Sequence, residues 1–246
     1  RGLSGRHILL TGAARGLGAV LARHLAGQGA ALILADLAED EGRAVADEVG
    51  ARFVPVDLGD PGSITALAAA VAEATGGQLH GLVNNGAIAT GIGGIGFEDV
   101  DIDTFDRVLR VNVRGTWLMT RAAAPLLRAS GSGRVVNVAS DTALWGAPNL
   151  ISYTASKGAV ISMTRSLARE LGPDRVGVTA VAPGILTTPS TDYVPEHRHR
   201  LYAEGRAVPG AQAPEEIADT VAFLLTEGAL TLTGQVLPVN NGFVFT

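Results

Sequence analysis

The chain has no cysteine among its 246 residues. A disulfide framework, a thiolate nucleophile and a cysteine-ligated metal are therefore excluded. No apolar run reaches the roughly 18 residues that would suggest a membrane span. Basic residues are outnumbered: 19 Lys and Arg against 24 Asp and Glu give a formal charge of −5. No positive surplus is left to neutralise nucleic-acid phosphates, so neither nucleic acid nor membrane is an expected partner. The stretch from Arg1 to Leu10 carries no signal-peptide pattern, and the expected location is the cytoplasm. Charged residues are only 17% of the chain and hydrophobic ones 47%, too apolar for a disordered segment. Scarcest of all is lysine, since Lys157 is the sole one and every other basic residue is an arginine. Where arginine does the generic surface work, a single ammonium raises the question of what a guanidinium could not do there.

Short, partly β-branched apolar runs alternate with longer helical patterns along the chain. The patterns predict strands over His7–Thr11, Ala31–Asp36, Arg52–Val56, Gly81–Asn84, Arg134–Ala139, Val176–Ala182 and Val236–Val239. They predict helices over Leu17–Gln28, Glu39–Val49, Pro61 to about Thr75, Asp103–Ala129, Ser152–Leu171 and Pro214–Leu225. Residues 86–100 read as a glycine-rich loop, and 184–213 as irregular. Apolar strands separated by helices imply an α/β fold, a doubly wound parallel sheet covered on both faces. No linker or repeat interrupts the pattern, so residues 1–246 read as one domain. In such a sheet a ligand crevice opens at the carboxyl ends of the strands, where each of the following motifs falls.

The turn Thr11-Gly12-Ala13-Ala14-Arg15-Gly16-Leu17-Gly18 joins the first strand to the first helix. Glycines let backbone approach a pyrophosphate, and a helix N-terminus offers free N–H groups and the positive end of its dipole. The spacing is not the G-x-G-x-x-G fingerprint, and glycine clusters also make ordinary turns. Asp36 ends the second strand, where a carboxylate can accept from both ribose hydroxyls of an adenosine and repels a 2′-phosphate. That favours NAD over NADP, as does Leu37, which supplies no cation; Arg15 argues the other way. Asp36 can equally cap a helix. Asp57-Leu58, at the end of the third strand, suits either the adenine edge or a plain turn.

Tyr153 and Lys157 stand four residues apart in a predicted helix and share a face. A tyrosine near pKa 10 is a poor base at neutral pH, and a nearby ammonium lowers that pKa. A compact lysine can also donate to a ribose hydroxyl. The plain alternative is an exposed helical lysine with a tyrosine packed beneath it. Ser140 follows the fifth strand, where a hydroxyl can hold a substrate oxygen or merely shape a turn. Asn112 lies in an apolar helical run and needs partners there; water binding and a structural distortion of the helix are both open.

Taken in order, Thr11-Gly12-x3-Gly16-x-Gly18, Asp36, Asp57, Asn84-Asn85, Asn112, Ser140, Tyr153-x3-Lys157, Pro183-Gly184 and Thr188 resemble the short-chain dehydrogenase/reductase family over nearly the whole chain. The resemblance implies a Rossmann-type sheet of seven strands, a nicotinamide cofactor and a homotetramer. It makes Tyr153 the general acid/base, with Lys157 lowering its pKa and binding the nicotinamide ribose. Ser140 orients the substrate oxygen, and Asn112 holds a water that relays protons through Lys157. The implied cofactor contacts are Gly12, Arg15, Gly16, Leu17, Gly18, Asp36, Leu37, Asp57, Leu58, Asn84, Gly86, Tyr153, Lys157, Pro183, Gly184, Ile185 and Thr188, with no metal. Two departures stand out. The family often has Asn-Asn-Ala-Gly where this chain has Asn84-Asn85-Gly86-Ala87, and Asp-Gly-Gly where it has Asn240-Asn241-Gly242.

The expected substrate walls, Ile88–Phe97, Leu144–Leu150 and a lid around 184–213, hold Trp145, Pro148, Leu150, Leu186, Tyr193, Val194 and Tyr202. Such apolar walls suit a hydrophobic or cyclic secondary alcohol or ketone. The run His197-Arg198-His199-Arg200 reads as a solvated helix face before it reads as an anion site. The expected activity is NAD-dependent hydride transfer. The alternatives are an NADPH-dependent ketone or 3-oxoacyl reductase, a methyltransferase, and a nucleotide-sensing regulator that keeps the fold without the chemistry.

Overall fold

The computed structural model describes residues 2–246; Arg1 lies outside them. Seven strands form one parallel sheet in the order β3-β2-β1-β4-β5-β6-β7. They are β1 (His7–Thr11), β2 (Ala31–Asp36), β3 (Arg52–Pro55), β4 (Gly81–Asn84), β5 (Arg134–Val138), β6 (Gly177–Pro183) and β7 (Val236–Val239). The order doubles back between β1 and β4. A Rossmann-type sheet opens its ligand crevice at such a reversal.

Alternation along the strands feeds two separate cores. Ile8 and Leu10 of β1, Val83 of β4 and Val136 of β5 pack with Leu21 and Leu25 of α1 (Gly16–Gly27) and with Ile217 and Val221 of α9 (Glu215–Leu224). Leu9, Leu82 and Val135 point to the opposite face. There they meet Ile64 and Leu67 of α3 (Pro61–Thr75) and Met119 and Leu127 of α5 (Thr116–Ala129). The side-chain period of two thus decides which layer each residue joins. The helix α2 (Glu39–Val49) covers the β2–β3 edge, and α7 (Ile151–Leu171) packs against β6. Asp60 caps α3 by accepting from the Gly62 and Ser63 N–H groups.

Two expectations need correction. The long helix expected over 103–129 is α4 (Ile102–Leu109), a π-helical segment at Arg110–Gly115, and then α5. The wider π turn sits at the buried Asn112, whose carbonyl accepts from the Thr116 hydroxyl. Gly115 brings this turn so close to Leu58 that a Cβ there would stand only 2.7 Å from the Leu58 carbonyl oxygen. Residues 184–213 are not wholly irregular: they hold α8 (Glu196–Gly205). A one-turn helix, α6 (Thr142–Trp145), also follows Ser140. α6 is too short to leave a readable period, and α8, with charged and polar residues over Glu196–Arg200, carries no apolar stripe.

Candidate active site

The carboxyl ends of the strands frame one cleft of about 1280 Å³. Gly12, Arg15, Gly16, Leu17 and Gly18 line one end of it, together with Asp36, Leu37, Asp57, Leu58 and Gly86. Gly12 has φ +66°, and a Cβ on it would sit 2.5 Å from the Gly86 Cα. A Cβ on Gly18 would run into the Gly12 carbonyl. These two glycines therefore let the turn pack on itself and on the Asn85-Gly86 segment that follows β4, beyond leaving room for a ligand. Helix α1 begins at Gly16 with no side-chain cap and no acidic residue in its first turn. Its first N–H groups and dipole end suit a pyrophosphate.

Asp36 binds backbone on both sides. One carboxylate oxygen accepts from the Ala14 N–H and the other from the Ala38 N–H, each at 3.0 Å. It ties the glycine turn to the start of α2 without capping that helix, and each oxygen keeps a lone pair for a further donor. Asp57 accepts from the Gly59 N–H at 2.7 Å, so it also shapes its own turn.

Asn84 does not reach the cleft with its side chain, contrary to expectation. It shares a face with Leu82, inside the α5 layer, and its amide donates to Thr120 and to Asn137 on the neighbouring strand at 2.9–3.0 Å. Its neighbour Asn85 lines the cleft instead and donates to the Thr11 and Gly12 carbonyls. Asn112 has its own partners. Its amide donates to the Ile88 carbonyl and the Ser156 hydroxyl, and its oxygen accepts from the Ile88 N–H. Both amide protons are committed, so a relaying water at Asn112 would have to donate to one of its oxygens. The side chain clamps the 86–100 loop to α7. Arg107, Arg110 and Val111 do line the cleft. Sequence periodicity missed them because it assumed an unbroken α-helix.

Ser140, Tyr153 and Lys157 line the other half of the cleft, together with Pro183, Gly184, Ile185, Leu186 and Thr188 at and beyond the end of the neighbouring β6. The Ser140 hydroxyl accepts from the Thr142 hydroxyl at 2.9 Å. The Lys157 ammonium is buried, donates to the Val138 carbonyl at 2.7 Å and lies 5.5 Å from the Tyr153 ring centroid. Burial pushes Tyr153 up to about 12, opposed by hydrogen bonding with Ser140 and reinforced by Tyr193 and Asp141. Burial likewise pushes Lys157 down to about 8. Desolvation disfavours the charged form of each group. Thr188 is buried at the cleft, and its side chain accepts from the Thr191 N–H.

Pro148, Leu150, Leu186, Tyr193, Val194 and Tyr202 line the cleft as expected, whereas Trp145 stands behind it. The Trp145 ring packs edge-on against Tyr202 and Phe243. Tyr193 crosses the opening and donates to the Ala89 carbonyl at 2.6 Å. The basic run divides. His197 and Arg198 line the cleft, with Arg198 5.3 Å above the Trp145 ring and bonded to the Pro148 carbonyl. The His199 ring contacts the Thr191 carbonyl, and Arg200 faces a separate shallow hollow. His197 and Arg200 are exposed and Arg198 and His199 half-buried, so the run keeps much of the solvated character expected of it. Among the described residues, no helix is long and apolar enough to cross a membrane, and no three metal-ligating side chains cluster.

Residues 12–244 match the family model described as Enoyl-(Acyl carrier protein) reductase. A 3-alpha-(or 20-beta)-hydroxysteroid dehydrogenase of Mycobacterium tuberculosis is 37% identical over 244 residues, 98% of this chain and 90% of the relative. A trans-4-hydroxycyclohexanecarboxylate dehydrogenase of Sinomonas cyclohexanicum is 36% identical, covering 95% and 91%. The crystal structure of a 3-ketoacyl-(acyl-carrier-protein) reductase from Brucella melitensis complexed with NADH superposes with a TM-score of 0.91 at 33% identity, covering 99% of this chain and all of that one. The chain belongs to the short-chain dehydrogenase/reductase family, oxidoreductases that use a nicotinamide dinucleotide.

Proposed function

We propose that this protein transfers a hydride between NAD(H) and a secondary alcohol or ketone on a hydrophobic, ring-shaped substrate, with Tyr153 as general acid/base. The observation that carries the reading is the meeting of Ser140, Tyr153 and Lys157 on one wall of a cleft whose far end is the glycine turn. A bound nicotinamide supplies the hydride acceptor or donor and, when oxidised, a positive charge that favours the phenolate. The protein's own groups do the rest. Ser140 holds the substrate oxygen. Tyr153, neutral at rest, gives its proton to the developing alkoxide in reduction; in oxidation it first loses that proton to solvent, and the phenolate then accepts the alcohol proton. Lys157 spends one donor on Val138 and keeps two for a ribose hydroxyl.

Support for NAD over NADP comes from Asp36, whose carboxylate at the cleft repels a 2′-phosphate. The cofactor contacts in this reading are Gly12, Arg15, Gly16, Leu17, Gly18, Asp36, Leu37, Asp57, Leu58, Gly86, Pro183, Gly184, Ile185 and Thr188. Residues 184–213 act as the substrate lid. Exposed Ile102, Trp117 and Ile151, on α4, α5 and α7, favour a homotetramer that covers them. A second reading, a ring alcohol bearing a carboxylate, is favoured by Arg198, an arginine at the cleft beside apolar walls. The named activity of the Sinomonas relative is consistent with it.

The test is a panel of cyclic and aryl secondary alcohols, neutral and carboxylated, with NAD⁺ or NADP⁺, read at the reduced-nicotinamide absorbance band. Turnover with NAD⁺ supports the proposal. Dinucleotide binding without turnover of any alcohol or ketone would point to a sensor instead.

A further inference from the structure

Behind the reaction end of the cleft lies a buried polar cluster that the chemistry above does not use. Asp141, next to Ser140, has no solvent exposure. Its N–H donates to the Pro183 carbonyl at 3.0 Å, which joins the ends of β5 and β6. One carboxylate oxygen accepts from the Tyr202 hydroxyl of α8 at 2.7 Å, and the other from the Asn240 amide after β7 at 3.1 Å. Trp145 of α6 donates to the same Tyr202 hydroxyl at 3.0 Å. The Arg206 guanidinium, just past α8, lies 5.4 Å from the Tyr202 ring centroid and donates to the Ile185 carbonyl at 2.7 Å. A lone buried carboxylate is costly, and this one is compensated by two donors and by a cation beyond the ring.

The Asn240 departure from the family's usual aspartate acquires a physical reason in this cluster. An aspartate at 240 would set two carboxylates face to face, one of which would have to hold a proton. Asn240 instead donates to Asp141, while its own oxygen accepts from the Phe243 N–H. Residues 141 and 240 are thus matched as one acceptor and one donor.

We propose, building on the hydride-transfer reading above, that Asp141 is a positioning residue: through Tyr202 and Asn240 it seats helix α8 against the turn that presents Ser140, and so fixes the substrate wall opposite Tyr153. A packing role alone would be indifferent to which of the two positions carries the charge. The positioning role needs one acid and one amide, and it tolerates their exchange.

The experiment compares Asn240→Asp, Tyr202→Phe and the exchange variant Asp141→Asn/Asn240→Asp, all in a Trp117→Phe background that leaves Trp145 as the reporter of the α8 seat. Acrylamide quenching of Trp145 is read in the free protein, and KM for the alcohol and Kd for NADH are read alongside. Asn240→Asp and Tyr202→Phe are each expected to raise quenching at least twofold and KM about tenfold, with NADH affinity within twofold. The exchange variant is expected to return both values to within twofold of the parent. If Asn240→Asp does not fold, Tyr202→Phe still decides. Parent-like quenching in the folded single variants, or a folded exchange variant as defective as Asn240→Asp, overturns the inference. Quenching needs no turnover, so an absence of alcohol oxidation would sink the functional reading while this one is still read.

Discussion

The two ends of the cleft are built by opposite means. At the glycine turn the contacts come from backbone and from short contiguous stretches, with Asp36 bridging Ala14 and Ala38 and Gly12 pressed on Gly86. At the reaction end, side chains converge from the ends of β5 and β6, from α7, from α8 and from beyond β7, and several are buried ionisable groups. The first kind of construction admits no side chain at Gly12 or Gly18 but depends little on the protonation of its surroundings. The second depends on burial that shifts protonation, so single changes there act on chemistry directly.

Substitutions can break this contrast. The largest effect is expected from Tyr153→Phe, a loss of about 10³-fold or more in turnover with NADH binding retained, measured by fluorescence titration and steady-state rates. A normal rate would remove Tyr153 from its role. Lys157→Arg comes next, with about a 100-fold loss although the charge is kept, because a planar fork does not replace an ammonium beside Val138. Lys157→Met sharpens the point. Folding depresses this lysine to about 8, so below that pH its buried charge costs stability, and the cost is relieved as pH rises from 8 toward 10.5. Removing the charge is expected to abolish activity yet raise Tm by a few degrees at pH 7; an unchanged or lower Tm would show that the lost bond to Val138 outweighs the buried charge.

At the other end, Asp36→Ala is expected to shrink discrimination between NAD and NADP about tenfold while kcat with saturating NAD stays within a few-fold. Unchanged discrimination would assign the ribose to another residue. The mildest effect on activity is expected from Asn84→Ala. It leaves Asn137 short of a buried donor and lowers stability by about 1–3 kcal/mol, seen as a lower Tm with KM for NAD unchanged. A changed KM would return Asn84 to the cofactor site.

What the sequence made legible follows the same division. The strand positions, the glycine turn, Asp36 and the Tyr153–Lys157 spacing are local patterns, and each was found within a residue or two of its place. The direction of the Asn84 side chain also follows from counting by two from Leu82, but a motif match overrode the count. The π segment at Asn112 and the Asp141–Tyr202–Asn240 cluster had no such signal. Each depends on partners between 24 and 99 residues away in the chain. The elevated pKa of Tyr153 was equally hidden, because helical spacing shows proximity to an ammonium and says nothing of the burial that opposes it.

The central claim, that Tyr153 exchanges the proton while carbon hydride passes to the nicotinamide, is tested most directly with a cyclic secondary alcohol deuterated at the carbinol carbon. The cofactor is then analysed by mass spectrometry at several pH values. The account predicts deuterated NADH from the wild-type protein, formed faster as pH rises through neutrality because the raised phenol must lose its proton, and essentially none from Tyr153→Phe. Deuterium transfer by Tyr153→Phe at the wild-type rate would contradict it.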